Sequence, residues 1–250
     1  KNSLTRSIED HANDERVIVA NVDQMAIVIS AANPEPKVGL VDRALVVAYD
    51  QGIEPIIIMT KQDLANGDEF LETYKDLEIK VFKIDKSSDL GKLQKTLANK
   101  ITVLIGHSGV GKSTLVNNLL ESSKNKSVAV GDDSKHRATG DVNEVTGRGR
   151  HTSSSAIALP LVNSDGWIID TPGIRAFGLA HLDSNRIIAS FADIAEVTQG
   201  CLSNCTHYEP SCRLNDWVQP GGVIDEERLT RVTSLRSLLE LKDKNPALGE

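Results

Sequence analysis

Eight residues, Gly106-His107-Ser108-Gly109-Val110-Gly111-Lys112-Ser113, constrain this chain more than any others. They fit the pattern G-x-x-x-x-G-K-[ST]. They follow the apolar run Ile101–Ile105, and helical spacing continues from Lys112 to about Leu120. A strand, a glycine-rich turn and a helix in that order make a βα unit with a phosphate-binding loop. The glycines let the backbone curl so that successive N–H groups point at phosphate oxygens, and the helix N-terminus adds its positive end. In such a loop Lys112 reaches the β- and γ-phosphates, the Ser113 hydroxyl binds Mg²⁺, and Thr114 completes the set.

The rest of the chain agrees with an α/β fold. Val17–Val22 and Met25–Ser30 are short β-rich runs, and Leu40–Asp50 has helical spacing that stops at Gly52. Pro55–Met59 is continuously apolar, as in a strand buried on both faces. Asp68–Leu77 reads as a helix, Ile79–Ile84 as a strand and Asp89–Asn99 as a helix. This alternation implies a parallel-rich sheet with helices on both faces. Residues 122–155 are poor in apolar side chains and read as a long loop, of the kind that is either functional or disordered. Ala156–Val162 and Gly166–Asp170 look like two strands joined by a turn. Helical segments at Asn185–Ala189 and Phe191–Val197, a cysteine cluster, and a long helix from about Asp225 to Lys242 complete the chain.

Composition excludes some classes. No apolar run reaches membrane-spanning length, and Lys1-Asn2-Ser3-Leu4 contains no apolar signal region, so the expectation is a cytoplasmic protein with no membrane partner. A net charge of −7 argues against a protein that simply coats nucleic acid. The three cysteines all lie between 201 and 212, and an odd number so closely spaced cannot close a disulfide framework. Cys201, Cys205, His207 and Cys212 instead offer three thiolates and an imidazole, the four ligands of a closed structural Zn²⁺ site. The competing reading is buried free thiols.

Two further motifs bear on a nucleotide. Asp170-Thr171-Pro172-Gly173 ends a strand, where an acid serves as the second Mg²⁺ ligand through water and the Gly173 N–H meets a γ-phosphate. Thr60-Lys61-Gln62-Asp63 follows the strand Pro55–Met59 and is similar to the N-K-x-D guanine motif, with Thr60 where Asn is usual. A carboxylate at Asp63 accepts from guanine N1–H and the exocyclic amine, a donor pair that adenine lacks, while Lys61 packs its stem on the base. GTPases usually run from the phosphate loop to D-x-x-G and then N-K-x-D. Here T-K-Q-D comes first, which is the order of a circular permutation joined between Asp89–Asn99 and Ile101–Ile105.

Taken in order, these motifs resemble one family closely, the bacterial ribosome small subunit-dependent GTPase A (RsgA, also called YjeQ). The resemblance rests on Ala20-Asn21-Val22-Asp23-Gln24, T-K-Q-D, G-H-S-G-V-G-K-S, Gly147-Arg148-Gly149-Arg150-His151-Thr152, D-T-P-G-I-R and the Cys/His cluster. It implies a permuted GTPase domain over 16–182, a zinc-binding helical domain over 183–250, and in 1–15 the remnant of an N-terminal OB-fold barrel. The family's base-loop Ser aligns with Asp85. The resemblance also implies a monomer that hydrolyses GTP to GDP, with the small ribosomal subunit and its rRNA as partner.

Ile174 stands where many GTPases place the Gln that orients the attacking water. His151 takes that role by resemblance, and Thr152 suits the switch threonine that closes on Mg²⁺, with Ser153 and Thr139 as rivals. Two other readings compete. A P-loop ATPase or nucleotide kinase is disfavoured by Asp63. A zinc-dependent RNA-binding module with an idle nucleotide is disfavoured by Lys112, Ser113 and Asp170 together.

Overall fold

A computed structural model describes residues 3–8, 11–75, 77–124, 157–161, 164–170 and 182–244. The chain divides into two compact units. The first comprises Lys1–Leu4, Val17–Pro36 and Ile53–Ala176; the second comprises Thr5–Arg16, Lys37–Gly52 and Phe177–Glu250. Near the N-terminus, β1 (Ser3–Ile8) and β2 (His11–Ala20) pair as a two-stranded sheet.

The first unit is built on a six-stranded sheet. Its strands are β3 (Gln24–Ser30), β4 (Glu54–Thr60), β5 (Lys80–Lys83), β6 (Ile101–Ile105), β7 (Ile157–Pro160) and β8 (Trp167–Asp170), in the spatial order β5-β4-β3-β6-β8-β7. All neighbours are parallel except β7 and β8, which pair antiparallel from Ile157 opposite Asp170 to Pro160 opposite Trp167. The hairpin closes where the Leu161 N–H donates to the Gly166 carbonyl at 2.8 Å.

Burial follows the period of two that a strand imposes. Ala26, Val28, Ile56, Ile58, Leu104 and Ile168 pack with Leu93 and Leu97 of α3 (Gly91–Leu97) and with Leu115, Val116 and Leu119 of α4 (Lys112–Lys124). The alternate residues Met25, Ile27, Ile29, Ile57, Met59, Val103 and Ile105 are buried too, so the central strands are covered on both faces. That is why they read as unbroken apolar runs.

At the N-terminal edge of this sheet, polar groups tie the strands. The Asp23 N–H donates to the Ile101 carbonyl at 2.9 Å and its carboxylate accepts from the Ile101 N–H at 2.8 Å. Glu54 pairs with Lys80 at 2.8 Å and with Lys100. Together their hydrogen bonds hold the Glu54 carboxyl down at about 2, Lys100 contributing most.

The helix expected over Asp68–Leu77 is shorter. As α2 it covers Asp68–Glu72, after which Tyr74, Lys75 and Leu77 donate to carbonyls three residues back. This tighter winding turns the chain in time to enter β5 and leaves Tyr74 buried.

In the second unit α1 (Val38–Asp50) packs against α8 (Glu226–Lys244), as do α5 (Ser184–Ala189) and α7 (Arg213–Val218), while α6 (Ala192–Thr198) lies on α5 and α7. Val232, Leu235, Leu238 and Leu239 form the buried stripe of α8 at helical spacing. Polar contacts fix its register. Ser234 donates to the buried Asp42 of α1, and Arg231 makes a two-pronged bond to Asp193, with Nη2–Oδ1 at 2.7 Å and Nε–Oδ2 at 3.1 Å. Short α7 is not expected from sequence because its six residues make fewer than two turns, over which Leu214, Trp217 and Val218 alone do not establish a period.

Candidate functional site: a phosphate loop braced by the base motif, and a separate thiol cluster

The phosphate loop leaves β6 beside β3. Ile105 pairs with Ile27, so Gly106 lies against the β3 backbone at Val28. A Cβ on Gly106 would stand 2.2 Å from the Val28 carbonyl oxygen, and its φ is 152°. Only glycine fits that approach. Gly109 and Gly111 also take positive φ, 81° and 93°. They curl the segment so that α4 starts at Lys112.

Lys112 is almost fully buried. Its Nζ donates to the carbonyls of Gly106 at 2.6 Å and His107 at 2.8 Å. The ammonium is thus held over the loop from which it would meet phosphate. Ser113 is half-buried at the start of α4, Thr114, Ser108 and Gly109 are exposed, and Val110 is buried in the core. Asp170 is buried at the end of β8, two ladder positions from the loop: it pairs with Leu104, two residues before Gly106.

The base motif begins on the last residue of β4. Thr60 Oγ1 donates to the Val110 carbonyl at 2.6 Å and lies 3.2 Å from the Ile29 carbonyl. Lys61 sits at φ 59° and its Nζ donates to the Asn33 carbonyl. Partial burial lowers the Lys61 pKa, with Asp63 opposing the shift. Asp63 is exposed. The Gln62 N–H donates to the Ile84 carbonyl at 3.3 Å, which joins T-K-Q-D to the Asp85 turn. There the Asp85 carboxylate accepts from the Ser87 N–H at 2.7 Å, the Ser87 hydroxyl at 2.8 Å and the Ser88 hydroxyl at 3.0 Å, and these bonds depress its pKa. The parallel sheet therefore brings the Asp85 turn after β5, Thr60, Lys61 and Asp63 after β4, residues 106–113 after β6 and Asp170 of β8 to the same carboxyl edge, with β3 between β4 and β6; this is the place where open α/β sheets bind ligands. His151, Thr152, Ser153, Thr139, Gly173 and Ile174 lie outside the described residues.

In the second unit Cys201, Cys205, His207 and Cys212 place their ligand atoms within 4.8 Å of one another. Cys201 and Cys212 sulfurs are 3.9 Å apart, and the Cys212 sulfur is 3.7 Å from His207 Nδ1. A tetrahedral metal with metal–sulfur bonds of about 2.3 Å sets sulfurs about 3.8 Å apart, so the donor set fits a zinc-sized cation. Without a cation, burial pushes the Cys205 thiol up to about 12, raises that of Cys212 and lowers the His207 pKa. Glu209 accepts from the Thr206 N–H and hydroxyl, each at 2.9 Å, and from the Cys205 thiol at 3.2 Å, which holds its carboxyl at about 2. The outer residues Glu209, Asn215 and Arg236 were not singled out from sequence. Arg236 lies on a charged helix far along the chain from the cysteines, and nothing in its spacing marks it.

Among the described residues no helix is long and apolar enough to cross a membrane. The RsgA GTPase family matches residues 1–180. A relative from Hahella chejuensis, named small ribosomal subunit biogenesis GTPase RsgA, is 38% identical over 90% of this chain and 64% of its own length. The chain spans between 62% and 76% of the length of curated relatives that it matches, and 62% in a relative from Photorhabdus laumondii. Among solved structures, YjeQ from Thermotoga maritima superposes with a TM-score of 0.65 at 25% identity, over 96% of this chain and 75% of that one. YloQ, a circularly permuted GTPase, gives a TM-score of 0.62 at 24% identity, over 98% and 74%. The T-K-Q-D segment precedes the phosphate loop in sequence yet meets it across β3 through Thr60 and Val110, as a permutation requires, and the match of residues 1–180 establishes that the chain belongs to the RsgA GTPase family.

Proposed function

We propose that this chain hydrolyses GTP to GDP and phosphate and acts as a late maturation factor of the small ribosomal subunit, whose binding accelerates turnover. The observation that carries the reading is the Thr60–Val110 hydrogen bond, which fixes the T-K-Q-D segment against the phosphate loop. One nucleotide then spans both, with its base at Asp63 and its phosphates at Gly106–Thr114. A carboxylate at Asp63, matched to the guanine donor pair, argues against an ATPase or nucleotide kinase.

Ser113 and Asp170 are the proposed Mg²⁺ ligands, Asp170 through water. The metal, when bound, neutralises charge that develops on the β- and γ-phosphates. His151 orients the attacking water, a role that rests on the family resemblance; Thr152 closes on the phosphate, a role that rests on its place just before the strand expected from Ala156; and the Gly173 N–H of the D-T-P-G motif meets the phosphate. Zn²⁺ is the cation proposed for Cys201, Cys205, His207 and Cys212, in a structural role because all four positions are filled by protein. Residues 16–182 are read as the permuted nucleotide-binding domain and 183–250 as the metal-binding helical domain of a cytoplasmic monomer.

The test measures GTP and ATP hydrolysis with and without purified small ribosomal subunits, using wild type and Asp63→Asn. The expected result is slow GTP turnover that rises strongly with the subunit and is lost in the variant. Equal turnover of ATP and GTP, or a rate unmoved by the subunit, would overturn the base-specific or the ribosomal half of the reading respectively.

A further inference from the structure

Around the thiol cluster, side chains that cannot themselves bind the cation hold the shape of the loop. His207 sits at φ 70°, in the left-handed region that a residue with a Cβ rarely adopts. Its ring faces the sulfur of Cys212 while its carbonyl accepts from Arg236 Nε at 2.8 Å. The same guanidinium donates through Nη2 to Asn215 Oδ1 at 2.9 Å. Asn215 Nδ2 in turn donates to the carbonyls of Glu209 at 2.9 Å and Pro210 at 3.2 Å. The Tyr208 hydroxyl donates back to the Arg236 carbonyl at 2.5 Å, and the guanidinium carbon lies 5.8 Å from the Tyr208 ring centre. Every residue from His207 to Pro210 is thereby tied, directly or through Asn215, to Arg236 of α8.

We propose that Arg236 is a positioning residue of the metal centre. It prebuilds the His207–Pro210 turn, so that the imidazole already faces the sulfurs before a cation arrives. The proposal rests on reading the Cys/His cluster as a zinc site. Here the chain bends at His207, and the backbone that brings the Cys205 and His207 ligand atoms together includes the unfavourable φ at His207. Metal binding to a loop that has not already taken up this bend has to order it, and the ordering cost then weakens the apparent affinity. A guanidinium suits the task because its rigid planar fork holds two acceptors at once, here the His207 carbonyl and Asn215. An ammonium on a flexible stem fixes neither direction.

A merely structural role for α8 makes a different prediction, and the same helix supplies the control. Arg228 donates to the Trp217 carbonyl at 3.0 Å and lies 5.0 Å from the Trp217 ring centre, a similar pair of contacts away from the ligand turn. The experiment titrates the whole chain with zinc against a chromogenic chelator and records the visible spectrum after cobalt loading. It compares wild type, Arg236→Lys, Arg236→Gln and Arg228→Gln. Both Arg236 variants should lose at least about tenfold in zinc affinity, within the usual effect of residues that orient metal ligands, and should shift the cobalt ligand-field bands. Arg228→Gln should keep both readouts at wild type. Asn215→Ala, which cuts the same tie from the other side, carries the test if Arg236 variants do not fold. Wild-type affinity and spectrum in the Arg236 variants would overturn the proposal alone, as would equal weakening by Arg228→Gln. A wild-type chain that takes up no zinc would overturn the zinc reading and the proposal with it.

Discussion

Thr60 Oγ1 donates to the Val110 carbonyl at 2.6 Å and so joins two residues fifty positions apart. The bond is buried, and Gly111 lies beside it, where even an added Cβ would come 3.5 Å from the same oxygen. The end of β4 is thereby tied directly to the phosphate loop.

Thr60→Val keeps the volume and removes the donor. Leaving the buried Val110 carbonyl unsatisfied costs about 1–3 kcal/mol. Urea unfolding of the nucleotide-free chain should show that loss, and GDP affinity should fall, while Thr60→Ser should behave as wild type. An unchanged urea midpoint in Thr60→Val would sink the idea that this bond braces the loop.

Two glycines of the phosphate loop should separate sharply when replaced by alanine. At Gly106 the new Cβ meets the Val28 carbonyl at 2.2 Å, and Val28 is fixed in the middle of the sheet opposite Ile58. Gly106→Ala is expected to lose more than about 3 kcal/mol and to fail to bind nucleotide. At Gly109 the nearest heavy atom to an added Cβ is Pro34 Cδ at 3.8 Å, so only the positive φ opposes the change, at about 1–2 kcal/mol. Thermal melts of the two variants check the order, and equal losses would contradict it.

Glu54 gives a pH-dependent stability. Lys100 and Lys80 hold its folded pKa at about 2, below the ordinary value of 4.5. A depressed carboxylate stabilises the fold above the unfolded pKa and loses that contribution as pH falls through the folded one. The side chain is 39% exposed, so solvent screening limits the effect to less than about 1 kcal/mol. Glu54→Gln should therefore be slightly less stable than wild type at pH 7. The gap should close between pH 4.5 and 2 in denaturation series run at low salt. A gap that stays constant across that range would mean the lysine pairing contributes nothing.

Cys212 is buried at the centre of the thiol cluster, within 4 Å of both Cys201 and His207. Cys212→Ser should abolish bound zinc, read by elemental analysis, and lower the melting temperature to that of wild type stripped by a strong chelator. Full zinc occupancy in Cys212→Ser would argue that the metal sits elsewhere.

Local chemistry settled much of this protein in advance. The strand, glycine loop and helix around Gly106–Lys112 follow from backbone freedom and apolar periodicity, which neighbouring residues determine. So do α1, β4, β6 and α8, whose boundaries in the structure lie within about two residues of the sequence reading. The spacing of Cys201, Cys205, His207 and Cys212 is likewise a short-range signal. Where a helix makes fewer than two turns, as α7 does, or the winding tightens, as after Glu72, sequence alone marks no reliable end.

What tertiary structure decided are pairings across long stretches of chain. The strand order with β7 antiparallel at the edge, the packing of α1 on α8, the Thr60–Val110 bond and the Arg236–His207 tie all join residues whose separation carries no periodic signal. Each depends on which surfaces become buried together and which polar groups then need partners, and those conditions arise only once the chain has collapsed.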